Sequence, residues 1–394
     1  MLNFFKQKKA EAPVAVKEEK KEPVKREPKK SNDNLAILAL ENYYDRAVSV
    51  NKNINEIKGE RNKNYLVDAH SIKFNNGEGK VKISDSVRGK DVYIISDISN
   101  YSITYKMYGF ENHMSPDEHF QDIVRTVSAM AGKASRITLI MPLLYSSRQH
   151  RRQGRESLDC AMALRQLEGL GVDSIITFDA HDPNIQNVTP YSSFDTIFPI
   201  YPVLKQFVVE NKSEINKDNM VVISPDNGAM ARAITYASIL KLDIGMFYKR
   251  RDYTQIVNGK NPIIAHEYNG PSVDGKDVLI VDDMIASGES LIDVIKELKS
   301  RGARDIISIC TFAFFTEGFE KFDALYQEGV LKAVYCTNAS YVSPEAEKRE
   351  WLHVVKLDKF IALMINTLHN NESLSPLISS NVKIKELLLK HDLD

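Results

Sequence analysis

The sequence lacks several features that would assign a class of protein directly. Its three cysteines, Cys160, Cys310 and Cys336, are scattered without metal-ligand spacing, which is typical of a reducing cytosol and argues against a disulfide framework or a zinc site. No apolar run approaches the roughly 20 residues of a membrane-spanning helix. Residues 1–6 lack the apolar core of a signal peptide. The formal net charge of -1 gives no reason to expect nucleic-acid binding. We therefore expect a cytoplasmic protein with neither a membrane nor a nucleic-acid partner.

The length and composition predict two domains with extensions at both ends. A chain of 394 residues is longer than one typical core. Residues 6–31 are almost only Lys, Arg, Glu, Pro, Ala and Val, which cannot bury enough apolar surface to fold. Helical patterns are predicted from about Asp33 to Lys58, and over Trp351–Leu368 and Val382–Leu389. The predicted division is a disordered charged tail over 1–31, a helical extension over 32–63, domains over 64–203 and 204–345, and a helical extension over 346–394.

The body alternates short apolar runs with helical patterns. This alternation predicts an α/β fold, with parallel sheets flanked by helices. One helix start is marked by Ser115-Pro116-Asp117-Glu118, which has an N-cap serine, a first-turn proline and a capping-box glutamate. The predicted strands are Val92–Ser96, Ile137–Met141, Ser174–Phe178, Met220–Ile223, Ile244–Tyr248, Val278–Val281 and Ile306–Cys310, and two further helices are predicted over Ala229–Leu240 and Leu291–Ser300.

Polar side chains follow most of these strands, where ligands bind in sheets of this kind. Arginine and lysine bind phosphate oxygens, while carboxylates can hold a magnesium ion. No Cys or Ser nucleophile with a neighbouring base stands out, so the pattern favours phosphoryl-type transfer without a covalent intermediate. Taken singly, a basic cluster is more often a solvated surface, an acidic turn often only caps the next helix, and a histidine is often packed. The strand ends carry Asp97, Arg148 to Arg152, Asp179, His181, Asp226, Lys249 to Arg251, and Asp282 with Asp283.

The stretch from Asp277 to Ser290 combines an apolar strand, two adjacent carboxylates and a short Ser/Gly loop before a helix. Loop amides and the positive end of a helix dipole bind anionic oxygens. The two carboxylates can accept hydrogen bonds from hydroxyl groups or hold a divalent cation. This stretch therefore predicts a site for phosphate and sugar hydroxyls.

In their order along the chain these motifs resemble the ribose-phosphate pyrophosphokinases, also called phosphoribosyl pyrophosphate synthetases, over roughly residues 64–342. The resemblance implies two similar phosphoribosyltransferase-type domains with the active site between them. It also implies Mg²⁺-dependent transfer of pyrophosphate from ATP to the 1-hydroxyl of ribose 5-phosphate, giving phosphoribosyl pyrophosphate and AMP. The segments that carry it are Phe74–Glu78, Ser86–Val92, Arg148-Gln149, Arg155-Glu156, Thr177–His181, Ser224–Gly228, Lys249–Arg251 and Val281–Met284.

The resemblance also implies roles for single residues. Lys249 and Arg251 would be catalytic and stabilise charge on the transferring group. The implied ATP-binding residues are Phe74, Asn76, Glu78, Arg148, Gln149 and His181. The implied ribose-phosphate-binding residues are Asp282, Asp283, Ser287, Gly288 and Ser290, and the implied magnesium ligands are His181 and Asp226. Because the loop at Phe74 serves a neighbouring subunit in the family, a homo-oligomer with sites shared across subunits is expected.

Two positions in the ribose-phosphate loop depart from the family pattern. Ala286 stands where a carboxylate is usual, and Glu289 stands where glycine is usual. A carboxylate close to a phosphate dianion is repulsive unless it turns outward or binds a cation. The acceptor is therefore either ribose 5-phosphate or a substituted ribose 5-phosphate such as ADP-ribose. A catalytically silent regulatory paralogue is a third hypothesis, which the retained catalytic residues disfavour.

Overall fold

The computed structural model describes residues 34–152, 154–212, 215–251, 263–379, 381–391 and 393, with only the backbone at 249–251, 263–266 and 381. The predicted disordered tail lies outside this part of the chain. In chain order the elements are β1 Leu35–Ala39, α1 Tyr44–Lys58, β2 Ala69–Lys73, β3 Gly79–Ile83, β4 Asp91–Ile95, β5 Thr104–Met107, β6 Phe110–His113, α2 Pro116–Met130, β7 Arg136–Ile140, α3 Asp159–Gly169, β8 Ser174–Phe178, β9 Ser193–Ile197, α4 Ile200–Asn211, β10 Met220–Ser224, α5 Met230–Leu240, β11 Asp243–Arg251, β12 Ile263–Asn269, β13 Asp277–Ile285, α6 Glu289–Ser300, β14 Ile306–Ala313, α7 Glu320–Gln327, β15 Ala333–Thr337, β16 Leu352–Val355, α8 Asp358–His369, α9 Ser375–Ile378 and α10 Asn381–Lys390.

The first sheet has five parallel strands in the order β1-β4-β7-β8-β9. Its edge strand β1 corrects the prediction of a helical extension over 32–63, because only α1 is helical there. All five residues of Leu35–Ala39 are buried, since a strand covered on both faces needs a continuous apolar run. Such a short run cannot be told from a helix by periodicity alone.

The second sheet has seven strands in the order β12-β11-β10-β13-β14-β15-β16, and only β12 runs antiparallel to its neighbour. Four of its strands are longer than predicted, among them β11, which includes Lys249–Arg251, and β13, which includes Asp282 and Asp283. The prediction of one helix over Trp351–Leu368 is wrong at its start. Trp351 is buried with its ring stacked on Phe322, β16 follows, and helix α8 begins at Asp358.

The positions of the apolar clusters explain why the strands of both sheets are apolar runs in the sequence. One apolar cluster covers the outer face of the first sheet and another covers the outer face of the second. A third cluster takes residues from both sheets, for example Phe178 and Val222, together with Phe360 of α8. Both sheets are therefore buried on both faces, as parallel sheets in α/β proteins are. The predicted α/β fold is confirmed, while the exact domain boundaries stay a prediction.

A capping box fixes the start of α2, and two antiparallel hairpins lie outside the two main sheets. Ser115 caps α2: its hydroxyl accepts from the Glu118 amide, and the Glu118 carboxylate accepts from the Ser115 amide at 2.9 Å, as the sequence predicts. The hairpins β2–β3 and β5–β6 are small two-stranded sheets outside the two main ones. Among the described helices, none is long and apolar enough to cross a membrane.

Candidate functional site

A cavity of about 520 Å³ lies where β13 leads into α6, and it collects residues from four of the predicted clusters. Arg148 comes from the basic loop after β7, His181 follows β8, and Asp226 follows β10. Asp282 and Asp283 come from the end of β13. The rest of the lining is Gly228, Ala229, Arg232, and residues 284–288, 290 and 291. The cavity therefore brings together candidate metal ligands and candidate sugar-binding and phosphate-binding residues.

The loop before α6 has the shape of a phosphate-binding turn. Ser287, Gly288 and Ser290 all line the cavity, where the sequence predicts them to bind phosphate. Gly288 has φ 87°, and a Cβ atom there would lie 2.5 Å from the Phe322 ring, so only glycine fits. The helix that follows has 12 residues and directs the amides of its first turn to this end. Backbone amides at a helix N-terminus form an anion-binding site.

Glu289 faces away from the cavity. Its carboxylate pairs with the Lys321 ammonium of α7 at 3.1 Å, its side chain is 65% exposed, and it is not among the residues that line the cavity. Ala286, by contrast, lines the cavity with a methyl group. The carboxylate that departs from the family pattern therefore does not oppose an anion in this loop.

The adjacent carboxylates at the end of β13 have different environments. Burial, together with the charge of Asp283, raises the pKa of Asp282 well above its usual value. Burial also opposes the charge of Asp283, but His181 Nδ1 contacts Asp283 Oδ2 at 2.8 Å and Arg232 lies close by. These partners hold the pKa of Asp283 below its usual value. The same hydrogen bond raises the pKa of His181 against the effect of burial. Asp283 and His181 therefore form an ion pair at the cavity wall.

Arg232, in the first turn of α5, is a site residue that the sequence reasoning missed. Its guanidinium donates to the Asp179 carboxylate, donates to the Ala180 carbonyl at 3.3 Å, and lies 3.6 Å from Asp283. Asp179 also accepts from the Thr311 hydroxyl at 2.7 Å. Burial raises the pKa of Asp179 to about 6, although the charge of Arg232 acts against this rise. The sequence contains a signal that could identify Arg232 as a site residue, because it is the one charged residue of an otherwise uncharged helix.

The two predicted magnesium ligands line the same cavity, and their free atoms suit a metal that takes few protein ligands. Asp226 Oδ1 accepts from the amides of Gly228 and Ala229 at 2.8 and 3.2 Å, which leaves Oδ2. His181 uses Nδ1 toward Asp283, which leaves Nε2. Within the described residues, no three His, Cys, Asp or Glu side chains form a complete metal cage. Magnesium usually binds through one or two protein ligands, several waters and substrate phosphates, so the donor set fits this mode.

Of the other predicted residues whose side chains the structure describes, none lines this cavity. Gln149 and His150 adjoin Arg148, and His150 Nε2 lies 3.3 Å from Asp182. Phe74, Asn76 and Glu78 lie in the turn between β2 and β3 and do not line this cavity. Lys249 and Arg251 lie in β11, and their side chains are outside the described part of the chain. The roles of these residues stay predictions.

A second cavity, of about 370 Å³, adjoins the first and shares His181, Gly228, Arg232 and Asp282 with it. Its other walls are largely apolar and include Phe198, Ile200 and Tyr236. Asp179 is the buried carboxylate on this side. Arg232 therefore stands between a polar and an apolar cavity.

In a parallel sheet of this protein, one strand, β13, carries an acidic pair near its end and leads into a Ser/Gly loop and a helix N-terminus. This arrangement defines a protein of the phosphoribosyltransferase class. Family models match in three segments: the N-terminal domain of ribose phosphate pyrophosphokinase over residues 35–171, a phosphoribosyl transferase domain over 200–323, and a phosphoribosyl synthetase-associated domain over 268–379. The ribose-phosphate pyrophosphokinase of Vibrio parahaemolyticus is 30% identical over 319 residues, which cover 80% of this chain and 92% of that protein. The chain belongs to the ribose-phosphate pyrophosphokinase family.

Further relatives agree with this assignment. The ribose-phosphate pyrophosphokinase of Staphylococcus saprophyticus is 26% identical over 307 residues, which cover 77% of this chain and 87% of that protein. The crystal structure of phosphoribosylpyrophosphate synthetase from Mycobacterium smegmatis shares the fold, with a TM-score of 0.67 and 22% identity, covering 86% of this chain and 99% of that one. The family match begins at residue 35 and reaches 379, so the range of roughly 64–342 expected from the motifs is too short at both ends.

Proposed function

We propose that this chain transfers the pyrophosphoryl group of ATP to the 1-hydroxyl of ribose 5-phosphate, giving phosphoribosyl pyrophosphate and AMP. The observation that carries this proposal is the 520 Å³ cavity, where His181, Asp226 and the Asp282-Asp283 pair face the loop at Ser287. One wall offers carboxylates for sugar hydroxyls, and the other offers amides for a phosphate. A ribose phosphate needs both, at opposite ends of one small molecule.

Each part of the cavity has a place in the proposed reaction. The loop from Ser287 to Ser290 and the first turn of α6 bind the 5-phosphate. Asp282 and Asp283 hold the ribose hydroxyls, directly or through magnesium. The oxygen of the 1-hydroxyl attacks the β-phosphorus of ATP and releases its proton to solvent water, the bond between that phosphorus and the α,β-bridging oxygen breaks, and AMP leaves. Positioning and neutralisation of charge account for catalysis of this type.

Magnesium and the basic side chains would neutralise the polyphosphate. Asp226 Oδ2 and His181 Nε2 would hold the ion, which when bound screens the charge of the transferring phosphates. Arg148 lies in the same cavity and its guanidinium would bind phosphate oxygens. Lys249 and Arg251 would stabilise the charge that develops on the transferring group. The approach of the hydroxyl to the phosphorus would then meet less repulsion.

The orientation of Glu289 favours ribose 5-phosphate over a substituted ribose 5-phosphate. A free 5-phosphate carries more negative charge than the diester of ADP-ribose and would suffer more from a carboxylate in its loop. Because Glu289 points to Lys321, that penalty is absent. The retained acidic and basic residues also support an active enzyme over a silent regulatory paralogue.

The proposed ATP site extends beyond one chain. Phe74, Asn76 and Glu78 do not line the cavity of their own chain, so we propose that they contact ATP bound by a neighbouring subunit of a homo-oligomer.

A cytoplasmic location fits the three cysteines, which are free and buried.

The reaction can be tested with the purified full chain, ATP, Mg²⁺ and one acceptor at a time. We expect AMP and phosphoribosyl pyrophosphate with ribose 5-phosphate, and much slower release of AMP with ADP-ribose. Asp283→Asn is the matched variant and should lower kcat about 100-fold, the size that follows loss of one group that stabilises charge. No AMP with any acceptor would refute the proposed reaction, and a preference for ADP-ribose would refute the proposed acceptor.

A further inference from the structure

A third cavity, of about 540 Å³, lies among helices α4, α8 and α10. Its volume is within the range of small-molecule sites in proteins. None of the residues that line it lines the proposed active site or the apolar cavity beside that site. It is therefore a separate cavity, and the chemistry of its walls indicates what it can bind.

Four lysines line this cavity, which we call the lysine cavity. They come from three helices and from the loop after β16, and all four are exposed: Lys205, Lys356, Lys359 and Lys383. Within the described part of the chain, none of the four forms an ion pair with a carboxylate. Ammonium groups around one cavity repel one another, and a bound anion relieves this repulsion. The lysine cavity therefore favours an anionic ligand.

Glu210 is the one acid among the described residues that line the lysine cavity, and its carboxylate is already engaged. Its Oε2 accepts from the Tyr335 hydroxyl at 2.6 Å and lies 2.9 Å from His353 Nδ1. Its Oε1 accepts from Gln206 Nε2 at 3.1 Å. Both carboxylate oxygens thus have partners, and the lining holds four ammonium groups against a single carboxylate.

Much of the remaining lining is apolar. Val355 and Phe360 are only 4% and 8% exposed, and Leu363 of α8 lies beside them in the cavity wall. The Lys383 ammonium lies 5.9 Å from the centre of the Tyr201 ring, so one of the lysines is held next to an aromatic wall. An inorganic anion can use the lysines alone, whereas an anion with an apolar group also covers this apolar surface.

Helix α10 supplies a wall of the lysine cavity from outside the family match. The match ends at residue 379, and α10 begins at Asn381. The helix packs against α4, and its side chains Ile384, Leu387 and Leu388 are buried in the apolar cluster that both sheets share. Lys383 comes from this helix. A segment beyond the matched domains therefore completes the cavity.

We propose that the lysine cavity binds an organic phosphate that carries an apolar group. A phosphate dianion can meet several ammonium groups at once, and lysine binds it as a mobile point charge. Two negative charges on one group balance four ammonium groups better than the single charge of a carboxylate. The apolar group packs on Val355 and Phe360, which turns the amphipathic lining into a specific site.

Helix α4 links the lysine cavity to the proposed active site. Tyr201 and Lys205 of this helix line the lysine cavity, whereas Ile200 and Val203 line the apolar cavity that contains Arg232. A ligand that binds Lys205 and shifts α4 therefore changes the wall next to Arg232, and with it the kcat or the KM for ATP. This link rests on the proposed function, whereas binding in the lysine cavity does not.

Binding can be tested by titration calorimetry of the full chain with 1-naphthyl phosphate. We expect saturable binding that persists in excess ribose 5-phosphate, which occupies the loop at Ser287. Lys356→Gln/Lys359→Gln removes two ammonium groups from the lysine cavity and should weaken binding about tenfold or more. The matched control is Lys385→Gln/Lys390→Gln, which removes the same charge from exposed positions of α10 that do not line the cavity. It should bind as the wild type does.

Inorganic phosphate is the second probe, and it tests the apolar part of the lining. It should bind the wild type about tenfold or more weakly than 1-naphthyl phosphate, because it buries no apolar surface. Three results would overturn the proposal: no saturable binding of 1-naphthyl phosphate, its displacement by ribose 5-phosphate, or equal affinities of the wild type and Lys356→Gln/Lys359→Gln. Equal affinities for the two probes would remove the apolar group from the proposed ligand. None of these readouts needs catalysis.

The link through α4 is tested by rates of AMP formation. Saturating 1-naphthyl phosphate should change the kcat or the KM for ATP of the wild type several-fold and should have a much smaller effect on Lys356→Gln/Lys359→Gln. Unchanged wild-type rates, or an equal effect on both proteins, would overturn the link. If the wild type forms no AMP with any acceptor but calorimetry shows the expected binding, the proposed reaction fails and the lysine cavity stands.

Discussion

Glu289 departs from the family pattern, but its carboxylate points away from the cavity that the loop lines. Its carboxylate lies beside the proposed phosphate-binding loop but is paired with Lys321, which comes 32 residues later on another helix. Sequence reasoning could flag Glu289 as a departure from the family pattern, because the motif is local. It could not identify the partner, because α6 and α7 meet only in the folded chain.

The ion pair between Glu289 and Lys321 predicts different effects on the KM for ribose 5-phosphate when each of its members is substituted. Glu289→Gln should leave the KM for ribose 5-phosphate within about twofold, because exposed ion pairs contribute little. Lys321→Glu replaces the partner by a like charge, which repels Glu289 and should raise that KM several-fold. Both values come from steady-state rates of AMP formation at saturating ATP. A several-fold change in the KM of Glu289→Gln would show that the carboxylate faces the phosphate after all.

The ion pair between His181 and Asp283 predicts a pH-dependent part of the stability. The raised pKa of His181 means that its contribution is fully present below its unfolded pKa near 6.5 and is lost as pH rises through the folded pKa. The lowered pKa of Asp283 means that its contribution is present above 3.8 and is lost as pH falls through the folded pKa. The pair therefore stabilises the fold most between these limits, in weakly acidic solution.

Thermal unfolding of the wild type and His181→Gln, measured without metal from pH 5 to 9, checks this window. The difference in Tm should be largest near pH 5 to 6 and shrink as pH rises through the folded pKa of His181. The variant keeps a hydrogen-bonding side chain of similar length. A difference in Tm that is constant across this range would mean that the ion pair does not contribute as inferred.

At the scale of elements, burial helps the sequence to predict a strand but does not ensure it, since the fully buried β1 and β15 are not among the predicted strands. Strands β4, β7, β8 and β10 are buried apolar runs between helices, and all four were predicted. The sequence predicts helix at the edge strand β1 because its short apolar run, Leu35–Ala39, cannot be told from a helix by periodicity alone. The β2–β3 hairpin was missed although Lys80, Lys82 and their apolar neighbours alternate, because it is half exposed. Solvated hairpins outside a main sheet give weak signals.

The placement of β1 inside a sheet predicts its contribution to stability. Ile37 is fully buried between α1 and the sheet, so Ile37→Ala should lower the free energy of unfolding by about 2–5 kcal/mol through lost burial and a new cavity. Val48→Ala on α1, where the side chain is 45% exposed, should change it by less than about 0.5 kcal/mol. Urea unfolding followed by circular dichroism gives both values. Equal effects would argue against a buried strand at Leu35–Ala39.

At the scale of the whole molecule, buried polar contacts hold the two sheets together. Asp97 at the end of β4 accepts from the Ser340 hydroxyl at 2.9 Å and the Tyr341 amide at 2.6 Å. Arg232 joins Asp179, at the end of β8, to Asp283 of β13. The clusters at the strand ends were predictable because parallel topology collects them at one edge. The Arg232 contacts were not, because Asp179 lies 53 residues earlier and only the packed sheets bring the two together.

Removal of the charge on Arg232 should therefore affect both fold and catalysis. Arg232→Gln leaves the buried Asp179 carboxylate without a cation and Asp283 with His181 alone, and should cost about 3–5 kcal/mol of stability. Arg232→Lys keeps the charge but loses the two-pronged geometry, so its Tm should lie between those of the glutamine variant and the wild type, with a lowered kcat. Thermal melts and steady-state rates on the three proteins test this. An unchanged Tm for Arg232→Gln would show that Arg232 does not hold the sheets together.

The packing of α1 against α8 has a consequence for the order of events during synthesis. The two helices are joined by Arg46 Nε and Asp358 Oδ1 at 3.0 Å, and these residues are 312 positions apart. At roughly 5–20 residues per second, a ribosome needs about 15 to 60 s to make the chain between them. Through that time the part of α1 that α8 later covers has no partner. The first half of the nascent chain therefore emerges with an apolar helix surface that a chaperone can bind, and its last packing step waits until the C-terminal helices leave the ribosome.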